Sequence, residues 1–215
     1  MTLTLHYHPL ASFCWKVLIA LYENATPFEP RIVDFGDPQS ASEFRSLWPM
    51  AKMPVLVDSG RGETVPETTI IIEYLELHHP GPVELLPSDP DRALKVRLQD
   101  RFYDHYVQHP MQKIVADRIR PVGRKDPEGV EQARAMLRTA FGVAEAEMAG
   151  RQWAAGDAFT MADCAAAPGL FYAEKVEPFE ASNPNLAAYL GRLRARPSFA
   201  RVLAEAEPYF AMFPG

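Results

Sequence analysis

The chain has 215 residues, 47% of them hydrophobic and 23% charged, an ordinary globular balance with room for one large or two small domains. A formal net charge of −6, with the acid excess in residues 1–80 and no basic patch, argues against a nucleic-acid or anionic-membrane partner. Two cysteines, Cys14 and Cys164, are too few for a disulfide framework, no stretch is apolar and long enough to span a bilayer, and the start lacks a charged leader, so a cytoplasmic location is expected.

Leu3, Leu5 and Tyr7 alternate and predict a first strand, ended by His8-Pro9. Helix spacing of Val17, Leu18, Leu21 and Tyr22 predicts a helix over Ser12–Glu23. Residues Phe28–Val33 read as a second strand, with Pro30 placing it near a sheet edge. A short helix over Gln39–Leu47 follows, then a strand pair, Val55–Val57 and Glu63–Val65, then a helix over Thr69–His78. The order βαβ, α, ββα gives one parallel crossover and one antiparallel hairpin. Prolines crowd residues 81–90, which read as a linker between a domain over 1–80 and an all-helical domain over 91–215. That second part predicts a long helix over Asp91–Ile119, bent near His109-Pro110, and another from Pro127 to about Met148. Thr160 and Asp163 have capping-box spacing, and Pro184 and Pro197 open the last two helices.

The stretch Lys52–Thr69 has the richest local chemistry. Pro54 cannot donate to a ladder, so it is expected to begin an edge strand and to leave the backbone of Met53 free for an external partner. Thr68 stands where a helix N-cap is expected, and a helix start offers N–H groups to an anion. An exposed peptide edge beside an anion site suits a small peptide with a free carboxylate. Taken singly, the proline is also a strand-end device, and Glu67-Thr68 is also an ordinary cap.

The element order and the segments AKMPVL and VPETTIIIEYLE resemble the thioredoxin-like amino-terminal domain of the cytosolic glutathione transferases, in a bacterial-like, theta- or zeta-like serine form. The Thr160-Met161-Ala162-Asp163 box resembles the one opening the core helix of that family's all-α domain. The resemblance implies glutathione as co-substrate and no metal, a cis bond between Met53 and Pro54, and pairing of the Met53 backbone with the cysteinyl part. It implies that Glu67 holds the γ-glutamyl ammonium, Thr68 the adjacent carboxylate and Lys52 the glycyl carboxylate. It also implies a homodimer, and an electrophile pocket between the domains lined by Leu10, Tyr103, Tyr106 and Met111. Those aromatics have core packing as their equal alternative.

The family must lower the thiol pKa of glutathione, near 8.5 for a free thiol, by a hydrogen bond to the thiolate at a helix start. Three residues compete for that role. Ser12 opens the first helix, Tyr7 ends the first strand, and Cys14 sits in the first turn. Each also has a structural reading, as cap, core filler and small buried apolar residue. Against a Cys-x-x-Cys layout Ala11 occupies the nucleophile place, and against Ser-Ser-Cys-Ser-Trp only the second serine and the tryptophan remain. Three readings follow: transfer of glutathione to a small hydrophobic electrophile, thiol-disulfide reduction through Cys14, or a non-catalytic glutathione-binding protein. His105 and His109 have the spacing of paired metal ligands but lack a third, and Gly60-Arg61-Gly62 reads as a turn.

Overall fold

The protein is described by a computed structural model covering residues 2–214. Its first part runs β1 (Leu3–Tyr7), α1 (Ser12–Glu23), β2 (Glu29–Ile32), α2 (Pro38–Leu47), β3 (Val55–Asp58), β4 (Glu63–Pro66) and α3 (Thr68–His78). The sheet order is β2-β1-β3-β4. β1 pairs in parallel with β2 and antiparallel with β3, so Leu5 lies opposite Pro30 on one side and Leu56 on the other. This is the expected thioredoxin-like order, with a mixed four-stranded sheet.

Two local expectations are corrected. β3 is an inner strand, not an edge strand, because it pairs with both β1 and β4. Pro54 is tolerated there because the ladder starts one residue later, at Val55, so no sheet bond needs its missing N–H. Thr68 is the first helical residue of α3 rather than its cap, and Glu67 holds the cap position. The Met53–Pro54 bond is cis.

The second part contains α4 (Pro90–Phe102), a π-helical turn (Tyr103–Gln108), α5 (His109–Arg118), α6 (Pro127–Met148), α7 (Met161–Val176), α8 (Pro184–Ala195), α9 (Pro197–Ala206) and a terminal 3-10 turn (Glu207–Met212). The expected bend of the long helix is this π turn. Pro110 lacks an N–H and its ring crowds the carbonyl four residues back, so the preceding ladder loosens. The N–H of His109 accordingly bonds the carbonyl of Asp104, five residues back.

α1 joins the two parts. Its residues Trp15, Val17, Ile19 and Leu21 are fully buried in one core shared with α7. The Trp15 ring lies 4.8 Å from Tyr172 and 5.2 Å from Phe171, and its Nε1–H donates to the Pro9 carbonyl at 2.5 Å. That bond pins the β1–α1 turn from inside. α7 starts with the expected capping box. Asp163 is fully buried and accepts from the Thr160 N–H at 2.8 Å, the Ala154 N–H at 2.8 Å and the Tyr189 hydroxyl at 2.6 Å. Among the described residues no helix is long and apolar enough to cross a membrane.

Candidate functional site

The β1–α1 turn, the start of α3 and the α4–α5 rod converge on one region. Ser12 is the first residue of α1 and is buried at 6% exposure. Its Oγ accepts a very short hydrogen bond from Nε2 of Gln108, which ends the π turn. A serine oxygen that accepts from an amide N–H still has its own proton to give. One turn along α1, Lys16 is 1% exposed and meets Asp104 at 2.8 Å and Asp100 at 2.6 Å. Ser12 with Lys16 thus faces Gln108 with Asp104, two i,i+4 pairs running in opposite directions.

The ion cluster extends to α3. The Thr69 hydroxyl accepts from Lys16 Nζ at 3.0 Å and donates to Asp100 at 2.7 Å, and Arg101 adds a bond to Asp100 at 2.7 Å. Two buried carboxylates against one buried ammonium and one half-exposed guanidinium leave no net charge. That neutrality is what allows the group to stay ionised inside the protein. Burial raises the pKa of Asp104, with Lys16 pulling it back down.

Glu67 immediately precedes Thr68 and Thr69. It is exposed and has φ 69° and ψ 117°, outside the allowed regions for a residue with a Cβ. Its carbonyl accepts from the Ile71 N–H at 2.8 Å and closes the first turn of α3. The N–H groups of Thr68, Thr69 and Ile70 therefore have no intrahelical acceptor. A conformation of this kind costs about 1–3 kcal/mol and tends to occur at functional sites. On the other flank Ala51, at φ 52°, closes a turn on Trp48 and presents exposed Lys52.

Two groups of the α4–α5 rod, Arg101 and His109, feel the fields of these residues. Burial opposes the charge of Arg101, but its bond to Asp100 and the fields of Asp100, Asp104 and Glu67 raise its pKa. Burial lowers the pKa of His109, and His105, Arg101 and Lys52 lower it further. Glu67 thus acts on Arg101 and Lys52 on His109, two different groups of one rod.

The other two thiol-activating candidates differ from Ser12 in burial. Cys14 has no exposure, and burial pushes its thiol up to about 12. It is protonated at neutral pH and presents no accessible sulfur, so it fills the core. Tyr7 is half-buried at the end of β1, and burial, then Glu205 and Tyr209, raise its pKa. Its hydroxyl stays neutral beneath the C-terminal tail, where Tyr209 stands edge-on to His8 at 5.9 Å.

Two of the expected pocket residues are corrected. Tyr103 and Met111 are buried in the main core, because the inner face of the π turn packs toward α7. Tyr106 is half exposed beside Phe102. Leu10 is half-buried, with its carbonyl held by the Tyr172 hydroxyl at 2.9 Å. Met53 is half-buried and packs on the small cluster of Val33, Phe44 and Val55, beneath buried Pro54. A cavity of about 560 Å³ opens instead beside α5 and α6, lined by His105, His109, Pro110, Lys113, Gln132 and Met136. The His109 ring meets Phe13, the residue after Ser12, at 6.0 Å. Among the described residues no group of three or more His, Cys, Asp or Glu side chains is placed to hold a metal ion.

Sequence reasoning missed Lys16, Asp100, Arg101, Asp104 and Gln108. A signal existed. Lys16 interrupts an otherwise apolar helix face and so demands a buried acid, and Asp100 and Asp104 offer two with helical spacing.

Comparison with known proteins bears on this arrangement. Residues 5–83 match the glutathione S-transferase N-terminal domain and residues 102–197 the C-terminal domain. The chain is 31% identical to FtsZ-localized protein A of Caulobacter vibrioides, over 97% of this chain and 93% of that one. It is 29% identical to maleylacetoacetate isomerase of Rattus norvegicus, over 77% of this chain and 75% of the other. Among solved structures, a glutathione S-transferase from Methylobacterium radiotolerans in complex with glutathione sulfonate superposes with a TM-score of 0.81 at 29% identity, covering 94% of each chain. Two domain matches in the family's order, on a mixed βαβαββα sheet followed by helices, show that this chain belongs to the glutathione S-transferase family.

Proposed function

We propose that the protein is a glutathione transferase in which Ser12 activates the thiol. The observation that carries this reading is the Ser12–Gln108 bond at the start of α1. It occupies the serine oxygen and leaves the hydroxyl proton as a donor, beside the positive end of a helix. The bound thiol loses its proton to solvent. The thiolate accepts the Ser12 hydrogen bond, and its electron pair then forms the S–C bond to the electrophile. The leaving group departs with its bonding electrons, or, in an addition, the π electrons of the attacked double bond pass toward the activating group and the adduct takes a proton from water. Lys52, the Met53 backbone before Pro54, Glu67 and Thr68 hold the tripeptide, and this holding makes the attack effectively intramolecular.

In this reading the electrophile enters past Leu10 and Phe13 toward the cavity at His109, and Tyr106 stands on its rim. The exposed apolar residues Ile70 and Leu77 on α3 and Leu94 and Leu98 on α4 form the homodimer face. The buried, protonated Cys14 speaks against thiol-disulfide reduction. The relative named for its localisation with FtsZ favours one second reading, a non-catalytic binding protein of this fold. Calorimetric titration with glutathione, beside turnover of a generic aryl halide, separates the two. Binding with turnover supports the transferase, binding without turnover supports the second reading, and no binding removes both.

A further inference from the structure

We propose that Gln108 is a positioning residue that aims the Ser12 hydroxyl at the glutathione sulfur, an inference that rests on the Ser12 reading above. Gln108 is 2% exposed, and its Nε2 donates to Ser12 Oγ across 96 residues of sequence. Its other polar atom, Oε1, is buried with no hydrogen-bond partner. The side chain lies against Gly169 of α7, where a methyl group would meet Oε1 at 3.6 Å. An apolar side chain of the same length would remove the orphaned Oε1 but would leave the buried Ser12 oxygen without its donor, so the carboxamide brings little net stability. Its one bond goes to the serine.

The chemistry of that bond is directional. An amide N–H can only donate, so it fixes which lone pair of Ser12 is used and turns the hydroxyl proton away from Gln108. The π turn supplies the geometry. It shifts the phase of the rod just before Pro110, and Gln108 is its last residue. The Lys16–Asp104 pair one turn away holds the two helices in this register.

The test is the thiol pKa of bound glutathione, read from its ultraviolet thiolate absorbance in the wild type, Ser12→Ala, Gln108→Met, Gln108→Glu and the double variant Ser12→Ala/Gln108→Met. Gln108→Met is expected to raise that pKa by about half a unit to one unit, a three- to tenfold loss of thiolate at fixed pH below it. Glutathione affinity measured well below that pKa, where the bound thiol is protonated in every variant, should stay within twofold, and the melting temperature should change little. Gln108→Glu should raise the pKa further, because a carboxylate can only accept and takes the serine proton for itself. The double variant should match Ser12→Ala. If Ser12→Ala raises the pKa while neither Gln108 variant does, the Gln108 proposal is overturned and the Ser12 reading stands. If Ser12→Ala leaves the pKa unchanged, or the wild type binds no glutathione, both are overturned. A drop in melting temperature with an unchanged pKa would mark Gln108 as a packing residue and overturn the proposal.

Discussion

Lys16 Nζ lies 2.8 Å from Asp104 Oδ2, with both groups out of water, and this contact ties the first helix of the sheet domain to the rod of the helical domain. Replacing Lys16 with Met leaves two buried carboxylates sharing one half-exposed guanidinium, that of Arg101, and so one buried charge uncompensated. The expected loss is about 3–5 kcal/mol at neutral pH. The sign of its pH dependence follows from Asp104, whose pKa burial already raises and Lys16 holds down. Without Lys16 it rises further. A carboxyl raised in the folded state stabilises at low pH and loses that contribution as pH climbs through its folded value. Thermal melts of Lys16→Met should therefore fall furthest behind wild type near pH 8 and recover toward pH 5. A deficit independent of pH would contradict the ion-cluster account.

Asp58 gives the opposite sign. It ends β3 and accepts from His79 at 2.7 Å, the Tyr74 hydroxyl at 3.0 Å and the Gly60 N–H at 3.0 Å. Burial would raise its pKa, but these bonds, that from His79 first, bring it below the ordinary carboxylate value. Its contribution is present above the unfolded value near 3.9 and fades as pH falls through the depressed folded one. Asp58→Asn should cost about 2 kcal/mol at pH 7 by urea titration. The gap to wild type should narrow below about pH 4, and a gap that widens there would be wrong for this mechanism.

Glu67 should show binding and stability moving apart. Its φ of 69° suits glycine, so Glu67→Gly should gain about 1 kcal/mol of stability by relief of strain. The same change removes the carboxylate that the proposed binding mode sets against the γ-glutamyl ammonium, so on that proposal glutathione affinity should fall at least about tenfold, or 1.4 kcal/mol. Calorimetry and melting on one sample check both. Loss of stability would mean that the backbone is not strained there.

Cys14 separates transfer from reduction. With its thiol pushed up to about 12, native protein at pH 8 should react with iodoacetamide far more slowly than free cysteine and reach the normal rate only in denaturant. Cys14→Ser should keep most of the transferase activity. Loss of activity with the fold intact would restore the reductase reading.

Most of the fold was legible because its signals are local. Apolar periodicity located β1 and α1, proline starts located α6, α8 and α9, and the Thr160–Asp163 spacing located α7. The inner position of β3 was not legible, since the rule that keeps proline out of central strands applies only where its N–H is needed. In the site, Lys52 and Glu67, the residues proposed to hold the tripeptide, lie within the short segments AKMPVL and VPETT that carry the family resemblance, which is why the sequence pointed to them; Lys52 follows Ala51 at φ 52°, and Glu67 is itself at φ 69°. The Gln108–Ser12 bond spans 96 residues and depends on the phase of a π turn, and single-chain periodicity does not encode such a phase. The pocket expectation failed for the same reason. Tyr103 and Met111 were placed by the family resemblance, which does not tell which face of the rod turns inward, and core packing, their equal alternative, is what the fold gives them.

The central claim is that Ser12 lowers the thiol pKa of bound glutathione, and ultraviolet titration of the wild-type complex against Ser12→Ala tests it most directly. The wild-type complex should titrate about two units below a free thiol near 8.5, and Ser12→Ala should recover at least one of those units. A bound thiol that titrates like the free tripeptide, or a serine-free variant that titrates like wild type, would contradict it.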